Sequence, residues 1–271
     1  GLYEEAESEY RDSIASCDRA IELNENDAGY HNNRGSSLQG LAYLHAGKGL
    51  YEEAEREYID SIASYDRAIE LNENYAGYHD NRGSGLRGLA YLHAGKGLYE
   101  EAEREYIDSI ASCDRAVEMT DWKIFWHIYF KAMTHEKYAQ LLFQMDRKEE
   151  GEAQFCHFIH AMYRLGSLEE ENGNRERAMS LYKRVIATII EGYREREAMN
   201  LRRHLILILC HKRLGRIMTE LGKGKKEIRE EYENALNLIE MALEMELDES
   251  TKKALENEKR EIEKLMNDLD S

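Results

Sequence analysis

Residues 49–74 read "GLYEEAEREYIDSIASYDRAIELNEN", and residues 1–26 read "GLYEEAESEYRDSIASCDRAIELNEN". Extending the comparison to 1–48 against 49–96 leaves only these differences: Ser8/Arg56, Arg11/Ile59, Cys17/Tyr65, Asp27/Tyr75, Asn32/Asp80, Ser37/Gly85 and Gln39/Arg87. A third copy opens at Gly97 and stays close through Thr120, after which the sequence diverges. A fixed period of this size is the mark of a repeat protein, in which a unit buries its apolar side against its neighbours.

Two helices are legible in each period. Tyr51, Ala54, Tyr58, Ser61/Ile62, Tyr65 and Ala68/Ile69 follow the 3-and-4 spacing of one helical stripe. Glu52, Glu53, Glu55, Arg56 and Glu57 take the other side, the first two in the opening turn where the helix dipole favours acids. "LNEN" at 71–74 closes that helix with turn-forming residues. The second helix is predicted from Gly77 to His93, with Tyr78, Leu86, Leu89/Ala90 and Leu92 inward. Its Gly83 and Gly88 each cost about 1 kcal/mol against Ala, a cost that close approach of another helix offsets. "HAGKG" at 93–97 forms the next turn.

"GLAY", "AGK", "YEEA" and the run "YDRAIELNEN" resemble the tetratricopeptide repeat (TPR). The family period is 34 residues, so each copy here is longer by 14, seven of which separate Tyr58 from Tyr65. A seven-residue step returns a helix to nearly the same face, drifting only about 20°. The resemblance implies an all-α, right-handed superhelical α-solenoid of antiparallel helix pairs. Further helices are predicted at 122–145, 150–173, 174–193, 196–221, 225–246 and 249–268, about eleven in all. The expected organisation is near-identical repeats over 1–120, divergent helical pairs over 121–247 and a C-terminal capping helix over 248–271, where Leu255, Ile262 and Leu265/Met266 form a thin apolar seam.

Composition narrows the function classes. The 271 residues contain no proline, which suits a chain of helices. They carry 37 Lys and Arg against 54 Asp and Glu, a formal charge of -17 that repels nucleic acid and anionic membrane. Mean hydropathy is -0.73. The longest apolar run, "HLILILC" at 204–210, is too short to span a bilayer and reads as a buried helix segment. Cys17, Cys113, Cys156 and Cys210 lie far apart with no CxxC spacing, so neither a disulfide framework nor a zinc ribbon is expected, and the redox compartment stays open.

No catalytic set emerges. His157 and His160, three apart beside Cys156, offer two ligands of a metal site but no third at a diagnostic spacing, and are expected as core histidines. The GK pair of "GLAYLHAGKGL" lacks the strand, the spacing and the following Ser or Thr of a phosphate loop. No enzyme, no cofactor and no metal are therefore expected.

Two interaction surfaces are expected instead. The chain opens inside a repeat, so its first helix presents Leu2, Tyr3, Ala6, Tyr10, Ile14 and Ile21 as interior copies do, with no preceding helix to cover them. That edge points to self-association, a homo-oligomer or filament built by end-to-end stacking. The TPR resemblance implies a second surface, on which Asn33 and Asn81 of "YHNNRG" and "YHDNRG" contact a bound peptide, with Arg34 and Arg82 holding a carboxylate. The competing reading gives these four residues to hydrogen bonds between helices of the array.

Overall fold

The apolar stripes, the acidic first turns and the missing prolines produce helices throughout. The computed structural model describes residues 2–194 and 201–270, with side chains at 3–191 and 201–270. In order the helices are α1 (Leu2–Leu23), α2 (Ala28–Gly47), α3 (Tyr51–Leu71), α4 (Ala76–Gly95), α5 (Tyr99–Met119), α6 (Phe125–Gln144), α7 (Lys148–Glu171), α8 (Arg175–Arg194), α9 (Leu201–Glu220), α10 (Lys225–Leu243) and α11 (Glu249–Asp270). Among the described residues there are eleven helices and no strand. The start expected for α9, at 196–200, lies outside them.

Local chemistry sets the breaks. Gly49, Gly97, Gly173 and Gly222 take φ of 78°, 78°, 79° and 64°, the left-handed conformation that ends a helix. At the first of these, Leu50 N–H donates to the His45 carbonyl at 2.9 Å, closing the last turn of α2. Asp146 occupies the corresponding turn after α6 with φ 58°, without glycine's freedom. The side chain of Asp27 caps α2 by accepting from the Gly29 and Tyr30 amides. Tyr75 stands in that place before α4 and provides no side-chain cap. Instead its ring meets Tyr78 edge-on, with centroids 4.6 Å apart.

The chain divides into two compact units, Gly1–Phe158 and Ile159–Ser271. This division falls inside α7, whereas the sequence repeat fades near Thr120. In the first unit α2 pairs most extensively with α3, and α4 with α5. α2 also touches α4, and α4 touches α6, so these three make an inner layer against α1, α3 and α5. Gly83 and Gly88 of α4 have their predicted use, a Cβ on Gly83 coming within 2.9 Å of Cys113 Sγ, and the equivalent glycine of α2 does likewise. A Cβ on Gly35 would come within 2.7 Å of the Tyr65 ring, and one on Gly88 within 2.5 Å of the Tyr58 ring. Leu86, Leu89, Ala90 and Leu92 are buried as expected. Tyr51, placed by the stripe on the inward face, is 51% exposed, because it lines an open groove beside α2 rather than a closed helix contact.

In the second unit the same device recurs. Gly166 lies under the ring of Tyr182, and Gly215 under that of Tyr232. The run around "HLILILC" is buried at His204, Ile206, Leu207, Ile208 and Cys210. α11 buries Leu255 and Ile262 against Ile228, Tyr232, Ile239 and their neighbours, with Leu265 and Met266 partly covered.

Candidate protein interaction site

The inner layer carries a groove of about 680 Å³. Its walls include Tyr43 of α2, Tyr91 of α4 and Lys137 and Gln140 of α6, with Tyr3 and Tyr51 at the rim. Tyr43 is 76% exposed and Tyr91 65%, both far outside the normal place of a tyrosine in a packed stripe. The Lys137 ammonium sits over the Tyr91 ring at 5.7 Å, a cation–π contact, and donates to Gln140 Oε1 at 3.1 Å. Behind them Tyr58 is buried, and its phenol is pushed up to about 12 by that burial. The groove therefore offers aromatic faces, a side-chain amide and an ammonium group. This is chemistry suited to an extended peptide.

Next to it runs a polar seam. Asn81 donates to Asn32 Oδ1 at 2.8 Å, Gln39 donates to Ser84 Oγ at 2.9 Å, and the imidazole of His127 pairs with the buried carboxylate of Asp80. Arg34 donates to Asp18 at 2.7 Å and to Ser64 at 2.8 Å; Arg82 repeats this with Asp66 at 2.5 Å and Ser112 at 2.7 Å. Each guanidinium thus ties an inner helix to both of its outer neighbours. Of the four residues expected to face a peptide, Arg34, Asn81 and Arg82 are held by neighbouring helices. Asn33 is exposed and lines a different depression, beside α1.

The edge residues of α1 are the other expected surface. Ala6, Tyr10, Ile14 and Ile21 are half-buried and Tyr3 is 69% exposed; the Leu2 side chain lies outside the described residues. The counterparts of Ala6 and Tyr10 one and two periods on are far more covered, whereas those of Ile14 are half-buried as it is and Tyr51 and Tyr99, like Tyr3, are exposed. Ala54 and Ala102 are at 0%, and Tyr58 and Tyr106 at 5% and 1%. The sequence stripe did not single out Tyr43, Tyr91 or Lys137. The usable signal was a tyrosine repeating at one period outside the apolar stripe, since an aromatic that recurs without a buried neighbour marks an exposed face.

His157 and His160, expected among core histidines, are instead exposed, because the buried face of α7 carries Cys156, Phe158, Ile159 and Ala161. The His157 ring stacks on His135 with centroids 5.1 Å apart, and among the described residues no group of three or more His, Cys, Asp or Glu could hold a metal. All four cysteines are free thiols. Burial pushes Cys113 up to about 12 and Cys210 further still. No helix among the described residues is long and apolar enough to cross a membrane.

No family model matches the chain, and no curated protein matches it. Among solved structures it is similar to BtubC (BKLC) from P. vanneervenii, at 16% identity and a TM-score of 0.44, covering 92% of this chain and 95% of that one. It is similar as well to a chain of nearly identical TPR-like repeats from Podosopora anserina, at 16% identity and a TM-score of 0.34, covering 78% and 98%. A third is YrrB, a TPR protein with an unusual peptide-binding site, at 17% identity and a TM-score of 0.23, covering 86% and 94%. Two of these three are described as TPR or TPR-like repeat proteins, and among its described residues this chain is all-helical with a 48-residue sequence repeat.

Proposed function

We propose that this chain is a non-enzymatic helical-repeat scaffold for protein–protein interaction that self-associates through the open face of α1. One observation carries the reading: Ala6, Tyr10, Cys17 and Ala20 are half-exposed, while the residues at the same register of α3 and α5 are covered by a neighbouring inner helix. Apolar area removed from water stabilises an interface by about 25 cal/mol per Å², so a face built to be covered gains from a companion. The charge of -17 opposes association at low ionic strength. Light scattering across chain concentration and salt tests it. The expected result is mass rising with concentration, more steeply at high salt; a monomer under every condition removes self-association.

A second reading has its own observation, the tyrosine- and lysine-lined groove. There the chain acts as an adaptor gripping an extended peptide, with Lys137 meeting a carboxylate and Tyr43 and Tyr91 stacking on side chains. Lys137→Glu abolishing capture of an acidic peptide, with mass unchanged, supports this reading; acidic peptides that bind neither protein remove it.

A further inference from the structure

Two imidazoles are buried between carboxylates where one repeat meets the next. His45 of α2 is 2% exposed; its Nδ1 lies 2.8 Å from Glu57 Oε2 of α3 and its Nε2 lies 3.5 Å from Glu7 Oε1 of α1. One period on, His93 of α4 is buried with Nδ1 2.9 Å from Glu105 Oε1 of α5 and Nε2 3.3 Å from Glu55 Oε1 of α3. Each ring therefore reaches from an inner helix to the outer helix on either side. Other charged groups act on these carboxylates. Lys48 donates to Glu7 at 2.8 Å, Arg11 to Glu7 at 3.0 Å, and Lys96 to Glu55 at 2.5 Å. Arg11 also acts through space on Glu57, and Glu101 on Glu105.

A neutral imidazole has one N–H and one lone pair. Between two ionised carboxylates it can donate to one and must turn its lone pair on the other. Glu7 and Glu55 are the ionised partners, held down mainly by Lys48 and Lys96, whereas burial pushes Glu57 and Glu105 up. The second proton of each joint therefore lies on the Nδ1 side, between the ring and the buried carboxyl group. It belongs to the pair rather than to either residue.

The third joint of the series is built without that proton. Leu142 follows Leu141 as His45 follows Leu44, and Gln154 stands twelve positions beyond it, as Glu57 does beyond His45 and Glu105 beyond His93. Imidazole and carboxylate are replaced together, by two groups that do not titrate. Leu142 is fully buried, and Gln154 Oε1 accepts from His135 Nδ1 at 2.7 Å. Glu103, the next in register after Glu7 and Glu55, accepts instead from Tyr138 Oη at 2.7 Å and from Arg147 at 2.5 Å.

We propose that the His45–Glu57 and His93–Glu105 pairs are proton-dependent joints, which bind α2 and α4 to their outer neighbours in mild acid and loosen as pH rises, while the Leu142–Gln154 joint does not respond. A proton held more tightly in the fold than in the unfolded chain contributes stability that is fully present below the unfolded value and lost as pH rises through the folded one. Glu7 sets the lower limit, since its own contribution fades as pH falls below 4.5. The joints are tightest between those limits.

The test uses the whole chain, with nitrogen-15-labelled histidine followed by NMR and with urea unfolding from pH 5 to pH 9. The expected result is a urea midpoint that falls as pH rises, in step with loss of the Nδ1 proton of His45 and His93. Transplanting the third joint, as His45→Leu with Glu57→Gln and His93→Leu with Glu105→Gln, should abolish that fall, each pair alone removing about half of it. An equal fall in the four-substitution variant overturns the proposal, as does a parent midpoint that stays level while Nδ1 loses its proton. The parent spectrum decides where a variant does not fold. Ring nitrogens of His45 and His93 that lose their proton at the same pH in the folded and the urea-unfolded chain overturn the proposal as well.

Discussion

The Tyr58 ring of α3 lies against Gly88 of α4 so closely that a Cβ on that glycine would fall 2.5 Å from Cε1. Helix propensity alone would make Gly88→Ala stabilising by about 1 kcal/mol, but overpacking of this kind costs about 1–3 kcal/mol. Gly88→Ala is therefore expected to lower stability to urea, and Gly95→Ala, with nothing within 4 Å, to raise it. A fall in both, or a rise in both, would show that the ring does not set the spacing of α3 and α4.

Asp146 turns the chain between α6 and α7 at φ 58°, where Gly49 and Gly97 serve earlier copies. A left-handed residue with a Cβ costs about 1–2 kcal/mol. Asp146→Gly should raise the thermal midpoint, less the small entropic penalty of glycine. An unchanged or lower midpoint would place that turn's stability elsewhere.

The cap at α4 gives a prediction of the same sign. Tyr75→Asp restores the acceptor that Asp27 supplies to α2, worth about 1 kcal/mol, but removes the ring that packs on Tyr78. Asp27→Ala should cost a similar amount with no aromatic contact in play. Comparing both variants by denaturant midpoint separates cap from ring.

Basic side chains beside two carboxylates shape the response to acid. Glu7 is held down to about 2 by Lys48 first, then Arg11, with His45 adding to it, and Glu55 is lowered mainly by Lys96. A carboxyl lowered in the fold stabilises it above its ordinary value of 4.5 and loses that contribution as pH falls toward 2. Lys48→Met should thus move the acid-unfolding midpoint upward. Glu57, pushed up by burial beside His45, has the opposite sign: its contribution is present at low pH and lost as pH rises through its raised value. Glu57→Gln should flatten that loss, and circular dichroism across pH 2–7 reads both.

Arg82 joins Asp66 of α3 to Ser112 of α5 across α4. Hydrogen bonds to a charged partner contribute about 1.5–3 kcal/mol each at most in such part-buried places. Arg82→Ala should lower stability while leaving peptide capture at Tyr43, Tyr91 and Lys137 unchanged. Loss of capture without loss of stability would return Arg82 to the binding surface.

The period, the helix pairs, the turn glycines and the buried faces of Tyr58, Tyr65, Leu86 and Leu89 were all legible in the string of residues. Each follows from short-range rules: the 3.6-residue turn, φ at glycine, and the exclusion of proline. What the residues of "NNRG" do was not, because Arg34 reaches Ser64 thirty positions away and Asn81 reaches Asn32 across the inner layer. Local pattern cannot tell an arginine facing a ligand from one facing the next helix. Nor could it show that Tyr43 and Tyr91 share a groove with Lys137. Identical sequence gives an identical helix, but only the neighbours that tertiary packing supplies decide which face of it meets water.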